Sequence, residues 1–285
     1  MKVAVICRMN QVRSTFSEIL LRSQFPEIDF CSAGVSSDAG SLPITRVTSV
    51  ASEWGLNTLK LMPKGILEIR AFIESCDLLL LAEDSFSQYF LDWKLLGKIK
   101  SFDQLTLDEN FIPQDPINVG ENEFKVELAK IGYVAIRAIE LETLKPSNFP
   151  IKIVIPLNAS DAELAFTYAR FASRNEHGIL IDVDFRSPNA REFATEEECI
   201  FFDPDTLSVS DYLKTIDVHK ILSPNREFRT PEKILISKDF RTKIREFANI
   251  APITLISAPR SIQGVPIPDS YLAAISATVI TTIGC

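Results

Sequence analysis

A cysteine and an arginine stand six positions apart in "CRMNQVRS" (7–14), where an apolar run gives way to a helical pattern. Those residue types at that spacing suit phosphoryl transfer. A phosphate dianion needs several donors converging on its oxygens, and a strand-to-helix turn supplies backbone N–H groups together with the positive end of the helix dipole. The planar fork of Arg13 can hold two phosphoryl oxygens and the charge that develops on them in a transition state, a geometry lysine does not reproduce. The same donors favour the thiolate of Cys7, the form that attacks phosphorus, and Ser14 is placed to donate a hydrogen bond to it. Asn10 tolerates left-handed backbone and can tie the loop together through its amide. Taken as a bare pair, Cys7 and Arg13 read as a buried strand-end cysteine and a solvated helix-start arginine. Asn10 and Ser14, in the order phosphoryl chemistry needs, reverse that reading.

Such a loop needs a strand before it and a helix after it, and the first half supplies both in alternation. Val3–Cys7, Asp29–Ser32 and Asp77–Ala82 read as strands, with helices from about Ser14, near Pro43–Trp54 and after Ala82. This alternation predicts a parallel sheet covered by helices. Residues 99–102 are read as a fourth strand. The segment 121–144 spaces Phe124, Leu128, Ile131, Ala135 and Ile139 at helical intervals, giving a helix that closes the domain. "KPSNFP" (145–150) opposes regular structure, and "IKIVIPL" then starts a second strand-and-helix series. The expected fold class is α/β with two domains, 1–146 and 150–285, the first a four-stranded parallel sheet with flanking helices.

The 285 residues and their 46% hydrophobic content are enough for two cores. A formal charge of −8 argues against a nucleic-acid partner. Five scattered cysteines (Cys7, Cys31, Cys76, Cys199, Cys285) and two distant histidines (His177, His219) support neither a disulfide framework nor a zinc site. The short apolar start is no signal peptide and no apolar run spans a bilayer, so a cytoplasmic protein without direct membrane insertion is expected. No cofactor is called for.

The loop "CRMNQVRS" resembles that of the low-molecular-weight protein tyrosine phosphatases. Further resemblance follows in order: "CSAGV" (31–35) to the family's Ser-Ala-Gly strand end, "SCDLLLLAEDSFSQYF" to its third strand and next helix, and "PQDPINVGENEFKVELAKIGYVAIRAIE" to its Asp-Pro loop and closing helix. The resemblance spans about residues 1–144. It implies that Cys7 is the nucleophile, Arg13 the phosphate clamp and Asp115 the general acid, with Arg8, Met9, Asn10, Gln11, Val12 and Ser14 forming the phosphate loop. An acid facing the nucleophile also makes chemical sense, because a departing phenolate needs a proton. The implied partner is a phosphotyrosine protein, including bacterial tyrosine kinases or polysaccharide co-polymerases that control exopolysaccharide export. Three departures stand out. Met9 replaces the family's usual glycine, where a side chain can narrow the pocket or shift the backbone donors. Ile117 and Asn118 replace aromatic residues after the Asp-Pro pair, and Val12 replaces a second cysteine. An inactive phosphate-binding scaffold is the alternative these changes raise. Arsenate reductases share the loop but relay electrons through further cysteines, and the segment "DLLLLAEDSFSQYF" that follows Cys76 holds none.

In the second half, "ILIDVDFRSP", "TPEKILISKDFRTKIREF" and "ITLISAP…ATVITTIG" resemble, in order, segments of the P-loop domain of bacterial tyrosine kinases and capsular-polysaccharide regulators. Where their Walker loop belongs, "PLNASDAELA" has neither glycines nor lysine, and Ser257 takes the place of an aspartate. The resemblance therefore implies a degenerate domain of P-loop-NTPase-like fold. Asp182 and Asp184 are read as structural or solvated rather than cation-binding.

Overall fold

A computed structural model describes residues 1–36, 45–58, 61–204 and 221–284. The start of the helix expected near Pro43, together with His219 and Cys285, lies outside the described residues. The chain divides into two compact units, Met1–Glu140 and Leu141–Cys285.

In the first unit, β1 (Lys2–Cys7), β2 (Asp29–Gly34), β3 (Leu78–Leu81) and β4 (Lys98–Ser101) pair in the order β2-β1-β3-β4, all parallel. A strand covered on both faces needs an unbroken apolar sequence, and "VAVIC" and "LLLL" are buried throughout. The edge strand β4 instead carries Lys98 and Lys100, charges that discourage pairing with a further strand. Helix α1 (Arg13–Gln24) follows β1, α2 (Thr45–Glu53) follows β2, and the short α3 (Arg70–Ser75) precedes β3. Helix α4 (Glu121–Thr143) buries Phe124, Leu128, Ile131, Ala135 and Ile139, the stripe its sequence spacing predicts.

The second unit is also α/β. Six parallel strands, β5 (Ile151–Pro156), β6 (Ile179–Asp182), β7 (Cys199–Phe202), β8 (Ile221–Pro224), β9 (Ile253–Ile256) and β12 (Val279–Ile283), run in the order β12-β5-β9-β6-β8-β7. A separate hairpin joins β10 (Ser261–Ile262) to β11 (Val265–Pro266), with Gln263 and Gly264 both at positive φ between them. Helix α5 (Ala162–Asn175) packs Ala165, Phe166 and Ala169 on Val154, Leu180 and Ile256 of the sheet.

Three details of these elements go beyond what the sequence reading gives. The segment after β3 is a 3-10 helix, Asp84–Phe90, rather than an α-helix. Its Asp and Ser side chains compete for backbone groups and weaken a regular α-helix. Strand β6 stops at Asp182, leaving Asp184 in the following turn. The stretch 230–248 is two helices, Pro231–Leu235 and Lys238–Ala248, because Ser237 caps the second by accepting from Phe240 N at 3.2 Å. No helix among the described residues is long and apolar enough to cross a membrane.

Candidate active site

The loop of residues 8–12 joins the carboxyl end of β1 to α1. Helix α1 starts at Arg13 with Val12 at its N-cap, a side chain with nothing to accept a bond, and its first turn holds no acidic residue. The first N–H groups and the positive dipole end are therefore left for an external anion. Backbone bonds from Val35 N to Cys7 O (3.0 Å) and Ser36 N to Arg8 O (2.9 Å) lash the loop to the end of β2. Gly34 lies so close beneath it that a Cβ there would fall 2.8 Å from Arg8 O, Asn10 N and Met9 C. No side chain fits in that gap.

Asn10 organises the loop. It adopts φ 52, the left-handed conformation Asn accepts, whereas Met9 is not among the positive-φ residues, so no glycine is required at position 9 by the backbone. The amide of Asn10 donates through Nδ2 to Ser14 Oγ (2.9 Å) and Ser32 Oγ (2.8 Å), and its Oδ1 accepts from Lys64 N (2.9 Å). Asn10 N donates to Cys7 Sγ at 3.2 Å, and Ser14 Oγ lies 3.0 Å from the same sulfur. Because Ser14 Oγ already accepts from an amide nitrogen, its own proton is available to the sulfur. The chain continues outward, with Ser32 Oγ donating to Glu18 Oε2 at 2.6 Å and Arg22 Nε to Glu18 Oε1 at 2.9 Å. Two donors thus converge on a buried Cys7, fixed from behind by a buried polar network.

Arg13, only 3% exposed, donates through Nη2 to Asp115 Oδ2 at 2.9 Å and to Glu83 Oε1 at 2.8 Å. Cys7, Asn10, Arg13, Ser14 and Asp115 therefore meet, across about a hundred residues of sequence. Asp115 stands at the N-cap position of a 3-10 turn, Pro116–Asn118, without a capping bond from its side chain, and Pro116 fixes the first position. Its loop is anchored by Gln114 N donating to Glu127 Oε2 at 2.6 Å, and by Arg46 Nη1 donating to Val119 O at 3.2 Å. Arg8 is exposed, Met9 and Gln11 are half-buried and Val12 is buried. Exposed Ile117 follows Pro116 in that turn.

Glu83 and Glu18 are site residues that the sequence does not single out, while Ser32 and Gly34 lie in the "CSAGV" match without an assigned role. Glu83 and Gly34 stand at the carboxyl ends of parallel strands, where α/β proteins bind ligands. Ser32 and Glu18 act through contacts that no sequence spacing encodes.

In the second unit, Asp182 accepts from Asp184 N (3.0 Å) and Ala190 N (2.7 Å), and Asp184 from Arg186 N (3.2 Å) and Ser187 N (3.1 Å). Both carboxylates brace the turn after β6, in line with the structural reading. Burial pushes the Asp184 carboxyl up to about 6, against its backbone donors. Among the described residues, no group of three or more His, Cys, Asp or Glu side chains could hold a metal ion. Burial likewise raises the thiols of Cys31 and Cys76 and disfavours their thiolates.

Residues 2–143 match the family described as low molecular weight phosphotyrosine protein phosphatase. Among solved structures, the chain is similar to the tyrosine phosphatase amsI of Erwinia amylovora, at 21% identity over 49% of this chain and 91% of that one, with a TM-score of 0.43. It is similar also to Wzb of Escherichia coli K30 in complex with sulphate, at 24% identity over 50% and 97% with a TM-score of 0.44. A third is Vibrio vulnificus Wzb in complex with benzylphosphonate, at 21% identity over 50% and 97% with a TM-score of 0.42. Comparison with curated proteins gives no match.

Proposed function

Since residues 2–143 form a low-molecular-weight phosphotyrosine phosphatase domain, we propose that the protein hydrolyses phosphotyrosine in protein substrates through a phosphocysteine at Cys7. The reading is carried by one arrangement: two donors aimed at Cys7 Sγ, and a buried Arg13 joining that loop to Asp115. In the first step Sγ forms a bond to phosphorus and the bond to the tyrosine oxygen breaks, that oxygen taking the proton of the Asp115 carboxyl. In the second, Asp115 accepts a proton from water, the water oxygen attacks phosphorus, and the P–S bond breaks to release phosphate and the thiolate. Backbone N–H groups of the loop and the Arg13 fork hold the phosphoryl oxygens throughout.

Asp115→Asn removes the transferable proton but keeps the side chain's size. It is expected to lower kcat/KM by about 10²- to 10³-fold, with a larger deficit for phenyl phosphate than for nitrophenyl phosphate, whose leaving group needs less protonation. Steady-state kinetics on the two esters check this, and an equal deficit on both would remove Asp115 from the acid role.

The substrate class extends, on the resemblance of the second half, to a bacterial tyrosine kinase or polysaccharide co-polymerase. The second unit serves in this reading as a P-loop-NTPase-like domain that no longer binds nucleotide. Support comes from the turn after β5. Asn158 and Asp161 there form a reciprocal capping box, with Asn158 N donating to Asp161 Oδ2 at 3.1 Å. The buried Asp161 carboxylate is thereby committed to the turn's own Asn158, placing a negative charge one residue before α5 where a phosphate would be disfavoured. Calorimetric titration with magnesium ATP is expected to show no binding, and binding lost in Asp182→Asn would contradict this.

A further inference from the structure

Arg13 is held by two carboxylates, and only Asp115 has a part in the reaction above. Glu83 leaves the carboxyl end of β3 in extended backbone, directly after Ala82, whose N–H is bonded to Ile6 O of β1 at 2.8 Å. Its Oε1 takes Arg13 Nη2 at 2.8 Å, and Ser85 Oγ donates to its Oε2 at 3.4 Å. Asp115 takes the same nitrogen from a loop. A strand end inside a parallel sheet is a fixed point, whereas a carboxylate on a loop can change partner. A phosphate dianion entering the loop competes with Asp115 for Arg13, and the reaction then needs Asp115 at the leaving oxygen rather than on the guanidinium.

We infer, resting on the phosphatase reading, that Glu83 is a positioning residue which keeps the Arg13 fork aimed at the phosphoryl oxygens once Asp115 departs. Its negative charge also faces the incoming dianion, so it weakens ground-state phosphate binding while it supports turnover. Two variants separate geometry from charge. Glu83→Gln keeps an acceptor oxygen for Nη2 and removes the charge. Glu83→Ala removes both.

The expected result is a split between kcat and affinity. In Glu83→Gln, inorganic phosphate binds about threefold or more tighter and kcat for an aryl phosphate falls by no more than about threefold. In Glu83→Ala, kcat falls by about tenfold or more, because a small misplacement of the guanidinium is costly at the transition state. A merely structural residue would lower the melting temperature of both variants without tightening phosphate binding. The test is calorimetric titration of inorganic phosphate into the full chain carrying Cys7→Ser, with and without Glu83→Gln, alongside kinetics of the Glu83 variants in the Cys7 protein. Unchanged phosphate affinity, with kcat of both variants within about twofold of wild type, overturns the inference. If the wild-type protein shows no Cys7-dependent turnover, the phosphatase reading falls on its own. The titration then decides: tighter phosphate binding in Glu83→Gln sustains the role of Glu83 at the phosphate site, and unchanged affinity removes it.

Discussion

Replacing Cys7 by serine is expected to cut aryl-phosphate turnover by at least about 10⁴-fold while leaving the fold intact. A serine hydroxyl stays protonated at neutral pH where a thiol can ionise, so the nucleophile is lost although its shape is kept. The donors around it survive, since Asn10 N and Ser14 Oγ, 3.2 and 3.0 Å from Cys7 Sγ, belong to the loop and the start of α1 rather than to the replaced side chain. Phosphopeptide binding should therefore persist and the melting temperature should stay close to wild type. Steady-state assay and equilibrium binding on the same preparation check both halves. Loss of turnover together with loss of binding would mean that Cys7 shapes the loop rather than acting as its nucleophile. A variant that turns over at the wild-type rate would sink the enzyme reading.

The second large effect is at Arg13. Arg13→Lys keeps the charge between Glu83 and Asp115 but cannot present two parallel N–H groups to a phosphoryl group. It is expected to lower kcat by about 10³-fold. Lysine is the informative substitution, because alanine would leave two carboxylates 2.8 and 2.9 Å from a vanished cation and confuse folding with catalysis. A lysine variant within about tenfold of wild type would show that point charge suffices and the fork has no special part.

Much of this site is legible in the amino-acid sequence. Cys7, Asn10, Arg13 and Ser14 lie within eight residues, so one strand-to-helix turn fixes their relations, and sequence order alone conveys them. Asp115 is a hundred residues away, and only the resemblance of its loop to a known one brings it in; chain spacing carries no such distance. Glu83 escapes a reading of the sequence because its role depends on which parallel strand lies beside β1, a pairing set by tertiary structure. Met9 illustrates the reverse. Read as a missing glycine it suggests a disturbed loop, yet the left-handed residue is Asn10 and Met9 needs no special backbone. In the second unit, β5 and β6 follow from their apolar runs, and β9 and β12 only from the resemblance of their segments to a known domain. Strands β7 and β8 follow from neither, because "CIFF" and "ILSP" are short and flanked by polar stretches without a clear period.

The most direct test is to mix the protein with an aryl phosphate, quench within the first turnovers, and map phosphoryl groups by mass spectrometry. Phosphate on the peptide bearing Cys7, accumulating at first with about one phenol released per protein and absent from Cys7→Ser, is the predicted result. Turnover with no phosphoryl group on Cys7, or undiminished in Cys7→Ser, would contradict the account.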